Sequence, residues 1–169
     1  MAKAKRTIED FLETVEEKDR DFVRELNEML QAEEYKLRIQ MTKNNGLSIS
    51  YTKPKMKWRL LGLSIKNKQL MIHLNTEHYK KYSDLLNKMP KTVLEHLDNV
   101  HTCPKILDLS KCWKTCEPGY DFQVGDKNYH ACRYYCFKTK IDEENIPFFL
   151  ELIECEIKER MVADYGLGE

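Results

Sequence analysis

The sequence is poor in chain-breaking residues and in long apolar runs. It has only six glycines and five prolines in 169 residues, and no apolar run approaches the ~18 residues needed to span a bilayer. The glycines form no phosphate-binding loop, and neither Gly-x-Ser-x-Gly nor His-Glu-x-x-His occurs. These absences argue against a flexible linker, a membrane helix and the enzyme classes that those motifs define. Since the start also lacks a secretory apolar region, we expect a soluble, cytoplasmic protein.

Charge is balanced overall but unevenly distributed along the chain. The 28 basic and 28 acidic residues give a net charge of zero, yet acids dominate 9–34 and 142–169 while bases dominate 35–91. Acidic helix faces exposed to solvent would explain this layout, and so would a polarised molecule that binds anions on one face. Zero net charge makes nucleic acid an unexpected partner. We therefore expect an unknown small molecule or anion as the partner, and the oligomeric state stays open.

Helical spacing opens the chain. Thr7 and Thr14 each precede an acid by three residues, a capping-box pattern that predicts two successive helix starts. The second predicted helix has an apolar stripe at helical spacing, made of Phe22, Val23, Leu26, Met29 and Leu30.

The spacing then changes to two residues. "YKLRIQM" and "LSISY", joined by Asn44-Asn45-Gly46, predict one hairpin, and "LGLSIK" and "QLMIHL", joined by Asn67-Lys68, predict another. Near Gly62 the pattern favours either a bulge or a strand covered on both faces. The polar phase predicts an open sheet face that binds a small anion, and its candidate residues are Lys36, Arg38, Lys57 and His73.

The second half repeats this alternation of helices and strands. Two helical segments follow residue 78, a third hairpin is predicted from strands 120–124 and 128–138, and a helix opened by Pro147 closes the chain. Consecutive hairpins between helices predict an α+β fold, in which an antiparallel sheet carries helices packed on one face. We expect one domain over 1–169, with a helix-hairpin-hairpin-helix part at 8–98 and a Cys-containing part at 99–169.

The first half resembles a known family. The order of short helix, amphipathic helix and two hairpins, in "IEDFLETVEEKDRDFVRELNEMLQ" and "GLSISYTKPKMKWRLLGLSIKNKQLMIHL", resembles the YdhG-like family of small bacterial domains of unknown function. The resemblance covers residues 8–74. It implies an α+β domain, and because some members are described as frataxin-like iron chaperones, it also implies that acidic helix residues bind metal.

Four of the six cysteines lie in "CWKTCEPGYDFQVGDKNYHACRYYCF", residues 112–137. Zinc holds thiolates at ~2.3 Å, so its ligands must converge. A helical turn after Ser110 would bring Cys112 and Cys116 together, whereas on one strand Cys132 and Cys136 would lie ~13 Å apart.

The predicted metal set is therefore Cys112, Cys116 and Cys132, completed by His130 or Cys103. Reduced thiols packed as small apolar residues, with no cofactor, explain the same pattern. We expect a non-enzymatic binding module of unknown ligand, a small anion or a metal ion. A thiol- or zinc-dependent enzyme that uses the 112–136 region is the alternative hypothesis.

Overall fold

A computed structural model describes residues 6–44, 46–54, 56 and 58–165, which adopt the predicted α+β fold. The chain divides into two compact units, Met1–Leu74 and Asn75–Glu169. We predicted one domain over 1–169 with parts at 8–98 and 99–169, and the boundary between the two compact units lies after Leu74. Within the described ranges, no helix is both long and apolar enough to cross a membrane.

Two helices open the first unit, α1 at Ile8–Leu12 and α2 at Glu17–Ala32. The predicted cap of α1 is confirmed, because the Thr7 amide donates to Asp10 Oδ2 at 2.6 Å. The second predicted cap is wrong. The hydroxyl of Thr14 donates back to the Phe11 carbonyl at 2.7 Å, and α2 begins only after Glu16. Threonine hydroxyls bond nearby main-chain groups in several ways, and the end of α1 uses the hydroxyl that the pattern assigned to α2.

Four antiparallel strands in consecutive order follow: β1 at Lys36–Met41, β2 at Leu47–Thr52, β3 at Leu61–Lys66 and β4 at Gln69–Leu74. The predicted phase of β1 is confirmed, since Leu37 and Ile39 are partly buried while Lys36 and Arg38 are exposed. The Tyr51 hydroxyl of β2 donates to Asn27 Oδ1 of α2 at 2.9 Å, which fixes the helix against this sheet.

The turn between β3 and β4 has the predicted position. Asn67 and Lys68 have φ values of 52° and 63°, as the favoured two-residue hairpin turn requires. Pairing of β3 with β4 is continuous from Leu61 to Lys66, so the strand has no bulge. Residues 60–63 are all buried. The strand is therefore covered on both faces, the second of the two predicted alternatives.

The second unit begins with a 3₁₀ turn at Tyr79–Tyr82. The elements after it are α3 at Ser83–Leu86, α4 at Lys91–Asp98, α5 at Pro104–Leu107, β5 at Tyr120–Val124, β6 at Lys127–Ala131, α6 at Arg133–Cys136, β7 at Lys138–Lys140 and α7 at Ile146–Tyr165. Strands β5 and β6 pair as an antiparallel hairpin, and the β5 side chains Tyr120 and Phe122 pack with Tyr79 and Phe137.

The predicted strand over 128–138 is wrong in its second half. Strand β6 ends at Ala131, and the Cys136 amide then donates to the Cys132 carbonyl at 2.9 Å, which closes one helical turn. Cys136 and Phe137 are adjacent in sequence and both fully buried, which a strand with one buried face does not allow. The predicted ~13 Å separation of Cys132 and Cys136 therefore does not apply, because it was based on a continuous strand.

A buried polar network, which the sequence did not predict, connects α7 to the start of the second unit. The Glu156 carboxylate is fully buried and accepts hydrogen bonds from the Glu77 amide at 2.9 Å and the His78 amide at 3.1 Å. It also accepts from the Tyr82 hydroxyl at 2.5 Å and from Arg160 Nε at 2.6 Å. Burial and the neighbouring carboxylate both raise the pKa of Tyr82, so this hydroxyl keeps its proton and remains a donor.

Candidate functional site: a cluster of thiols

Main-chain hydrogen bonds bring Cys103 and Cys132 together at the end of β6. The Cys103 amide donates to the His130 carbonyl at 2.7 Å, and the Cys132 amide donates to the His101 carbonyl at 3.3 Å. Thr102 forms an antiparallel bridge with Ala131 between these two bonds. The segment 101–103 thus runs beside residues 130–132, although the two cysteines are far apart in sequence.

Gly119 brings the segment that follows Cys116 against the same place. A Cβ at position 119 would lie 2.6 Å from the Cys103 Cβ and 3.0 Å from its Sγ, and only 2.2 Å from the Ala131 carbonyl oxygen. Real Cβ atoms do not approach other atoms so closely, so only glycine fits here. This close approach places Gly119, three residues after Cys116, directly beside the Cys103 thiol.

The loop that contains Cys112 and Cys116 is built from turns. The predicted helical turn after Ser110 is wrong, because the Ser110 amide and hydroxyl both bond Asp108 Oδ1, at 2.9 and 2.7 Å. The Cys116 amide donates to the Trp113 carbonyl at 2.9 Å, which closes a tight turn. The Cys116 thiol donates to the Glu117 carbonyl at 3.3 Å. Cys112 is close enough to influence the pKa of Cys116, so the two residues are neighbours within this loop.

The electrostatics of Cys116 identify its neighbours. Its pKa is raised above the ordinary thiol value, first by burial and then by the hydrogen bond with Cys112. The charges of Cys112, Cys132 and Cys103 raise it further. Cys112, Cys132 and Cys103 therefore lie in the electrostatic surroundings of Cys116, and these four cysteines make up the thiol cluster. Cys103 is buried, while Cys112, Cys116 and Cys132 are partly buried.

Cys136 lies next to this cluster without facing solvent. It is fully buried, and its pKa is raised well above the ordinary value by burial first and then by the nearby Cys132. A thiol in such surroundings stays protonated and packs as a small apolar side chain.

His130, which we predicted as a possible fourth ligand, is held elsewhere. On β6 it pairs across the hairpin with Asp121, and its Nδ1 lies 3.1 Å from Asp121 Oδ1. It is exposed, while its strand neighbours Tyr129 and Ala131 are buried, so its side chain points to the other face of the hairpin. Of the two predicted completions of the set, Cys103 lies beside Cys132, through the main-chain bonds that join 101–103 to 130–132.

The thiols are neighbours but do not surround a common point. Within the described residues, no group of three or more His, Cys, Asp or Glu side chains is arranged so that it could hold a metal ion. Zinc coordination at ~2.3 Å would therefore require side-chain rotations within the cluster.

The predicted anion face of the first unit is not open across its width. Strand register aligns Arg38, Ser50, Gly62 and His73 in one row across the four strands. Lys36 and Arg38 are exposed, but His73 is buried and its Nδ1 lies 2.9 Å from an Arg59 guanidinium nitrogen. The position of Lys57 lies outside the described residues. Because His73 at the β4 end of this row is buried, only Arg38 at the β1 end is exposed to solvent.

Lys105 is a residue of this region that the sequence did not indicate. It is buried in α5, with 8% of its surface exposed, and its ammonium group donates to the main-chain carbonyls of Trp113, at 3.0 Å, and Cys116. Helix α5 has only four residues, so no helical pattern in the sequence marks Lys105 as buried, and only the structure reveals it.

Comparisons with family models, curated proteins and solved structures found no match to this chain. The resemblance to the YdhG-like family therefore stays a prediction from the residue pattern of the first half.

Proposed function

We propose that this protein is a non-enzymatic binding module whose second unit holds one zinc ion through Cys103, Cys112, Cys116 and Cys132. The observation that carries the proposal is the antiparallel contact between 101–103 and 130–132, against which Gly119 brings the loop of Cys112 and Cys116. Structural zinc sites are built from four cysteine or histidine ligands, and here Cys103 and Cys132 are carried by paired backbone while Cys112 and Cys116 are carried by a loop of turns.

The chemistry of the donor set supports zinc. Four thiolates suit Zn²⁺ in tetrahedral geometry, and the three residues between Cys112 and Cys116 fall within the spacing seen in structural zinc sites. Residues 108–119 contain no helix or strand. A zinc ion would cross-link this loop to the end of β6, and we expect coupled folding to supply stability there.

A thiol enzyme is the weaker hypothesis. A nucleophilic cysteine needs a lowered pKa and an adjacent base, whereas burial and neighbouring thiols raise the pKa of Cys116. His130 is the histidine nearest to Cys116 in sequence, and its Nδ1 lies 3.1 Å from Asp121 Oδ1. High-pKa clustered thiols fit metal ligation better than nucleophilic catalysis, because zinc itself drives their deprotonation.

The test is metal analysis of protein purified without chelator. We expect about one zinc per chain by native mass spectrometry, and a large fall in melting temperature after chelation. Serine variants of each of the four proposed ligands should lose zinc, whereas Cys155→Ser, on α7 and outside the cluster, should keep it. Protein without zinc, whose melting temperature is also indifferent to added zinc and to chelator, would overturn the proposal.

A further inference from the structure

One face of the sheet in the first unit presents hydrogen-bond donors. The Tyr51 hydroxyl of β2 bonds Asn27 of α2, so the preceding side chain on the strand, Ser50, points to the opposite face of the sheet. On that face the strand register places Ser50 directly between Arg38 of β1 and Gly62 of β3. Neighbouring strands lie about 4.8 Å apart, so Ser50 has both positions within one strand spacing.

A second guanidinium group, that of Arg59, lies over Gly62. Its Cζ is 3.5 Å and its Nε 3.6 Å from the point that a Cβ would occupy at position 62. The missing side chain of Gly62 thus leaves room for the guanidinium group above β3. On β4, opposite Gly62, His73 Nδ1 lies 2.9 Å from an Arg59 guanidinium nitrogen. Because arginine can only donate, Nδ1 is the acceptor, and the buried His73 fixes Arg59 beside Ser50.

The Ser50 hydroxyl lies between these two cationic positions and has no hydrogen-bond partner in the part of the chain that the structure describes. Ser50 is only 8% exposed, and a buried hydroxyl without a partner destabilises the folded state. Arg38 and Arg59 are both exposed, so their guanidinium groups can meet an anion from solvent. The row therefore offers one unsatisfied donor with a cation on each side.

We infer that Arg38, Ser50 and Arg59 form a binding site for a single phosphate group. An oxyanion above Ser50 accepts from the hydroxyl and from one guanidinium group on each side. Hydrogen bonds between ionised partners are the strong ones, and the planar fork of arginine matches pairs of phosphate oxygens. Donors from three directions suit a tetrahedral anion better than a planar carboxylate. The ligand class is therefore inorganic phosphate or a small phosphate ester.

This phosphate site is independent of the proposed zinc site, since it lies in the first unit and uses no cysteine. It is also narrower than the anion face predicted from the sequence, because Ser50 and Arg59 replace Lys36 and Lys57 as the groups beside Arg38. Zero net charge and the buried β4 end of the row favour one phosphate group over a long polyanion.

The first experiment titrates nitrogen-15-labelled full-length protein with inorganic phosphate at constant ionic strength. We expect saturable chemical-shift changes at the Ser50 amide and at the Arg59 Nε–H group. Arg38→Gln should weaken binding roughly tenfold or more, the scale of a hydrogen bond to a charged group. Lys66→Gln, which removes an exposed positive charge from the same face of β3, should keep near wild-type affinity. Equal losses in the two variants, or no saturable change in the wild type, would overturn the inference.

The variant Ser50→Ala separates ligand binding from folding, because it removes the hydroxyl and keeps both charges. Phosphate affinity should fall several-fold, while the melting temperature of phosphate-free protein should hold or rise, since an unsatisfied buried group is lost. Ser64→Ala, one row away on β3, is the matched control and should keep the affinity. Unchanged phosphate affinity in Ser50→Ala would exclude the hydroxyl from binding and overturn the site as assigned.

Further probes decide the ligand class. Sulfate, which is also tetrahedral, should compete with phosphate better than acetate does. Tighter binding of phenyl phosphate than of inorganic phosphate supports an ester as the ligand, and equal affinities support the free anion. Far tighter binding of a single-stranded oligonucleotide, falling steeply with salt, would make this face a nucleic-acid surface and overturn the inference.

Discussion

Within α7, Arg160 Nε donates to Glu156 Oε1 across 2.6 Å, and the two side chains are 6% and 0% exposed. The Arg160 guanidinium also donates to the Asn75 carbonyl at 2.8 Å. The carboxylate and the guanidinium together tie the last long helix to the first residues of the second unit. Because both charges are buried, removing Glu156 leaves the Arg160 guanidinium with only the partly exposed Glu77 carboxylate, 3.8 Å away, as an anionic partner among the described residues.

We therefore expect Glu156→Gln to lower the free energy of unfolding by about 3 kcal/mol, the scale for breaking a buried pair. Glu95→Gln is the matched control, since Lys91 and Glu95 form the same one-turn pair with side chains 82% and 64% exposed. Its cost should stay below about 0.5 kcal/mol. Urea unfolding of both variants gives the comparison, and similar losses would mean that the Glu156 network is not the anchor described.

This network also shows what sequence reasoning could not reach. Glu156 and Arg160 lie in an acidic helix, where surface charges would look the same in sequence. Their burial depends on which elements pack around α7, and that information is not local. By contrast, the two-residue alternation of apolar and polar side chains predicts which side chains of β1 are buried. The residue types between the two apolar runs predict the turn at Asn67-Lys68. Both were correctly predicted.

The candidate site was predicted in part. Geometry of zinc ligands singled out Cys112, Cys116 and Cys132 with either His130 or Cys103, and the structure brings Cys103 beside Cys132 through main-chain hydrogen bonds. Whether the thiols bind a metal stays a prediction. The local elements that carry them were wrong. Residues 132–136 form a helical turn where a strand was expected, because apolar residues in a short segment fit either period. In the loop of Cys112, the Asp108 carboxylate accepts a hydrogen bond from the Ser110 amide, and the ammonium group of the buried Lys105 donates to a main-chain carbonyl of the turn. Neither contact follows from the local sequence pattern.

Asp98 should make the stability of the β5–β6 hairpin depend on pH. Hydrogen bonds from Lys127 and Tyr129 lower the pKa of its carboxyl group. A lowered folded-state pKa stabilises the native state above the unfolded value of about 3.9, and this contribution is lost as pH falls through the folded-state pKa. We expect Asp98→Asn to lower the melting temperature near neutral pH and to have little effect at about pH 2.

The control for that experiment is Asp126→Asn, in the turn of the same hairpin. It should leave the melting temperature nearly unchanged at both pH values. An equal loss in Asp98→Asn at neutral and acid pH would show that shape, rather than charge, accounts for the role of Asp98.

Gly119 should not tolerate even one added methyl group. Gly119→Ala would place a Cβ 2.2 Å from the Ala131 carbonyl oxygen, so we expect a loss of about 1–3 kcal/mol of stability from overpacking, together with weaker zinc binding. Gly125→Ala is the comparison. At that position nothing lies within 4 Å and only the φ of +56° is strained, so stability should fall while zinc affinity holds. Unchanged zinc affinity in Gly119→Ala would contradict the placement of this segment beside Cys103.

The turn of the first unit offers a stabilising change. Lys68 has a φ of 63°, a conformation that costs a side-chain-bearing residue about 1–2 kcal/mol and glycine almost nothing. Lys68→Gly should raise the free energy of unfolding by up to about 1 kcal/mol. Lys66→Gly, inside β3, should lower it by roughly 0.5–1 kcal/mol. Thermal unfolding measures both variants. A change of the same sign in their free energies of unfolding would contradict the turn geometry.

The division of the chain after Leu74 leaves every cysteine in the second unit, from Cys103 to Cys155. On the ribosome, strands β1 to β4 are therefore translated before the first thiol is made. Domains generally fold as units during synthesis, so these four strands can pair before any thiol is available to a metal ion or an oxidant. If the proposed zinc site forms, a shortage of zinc should act on the thiol loop, which is made later than these strands.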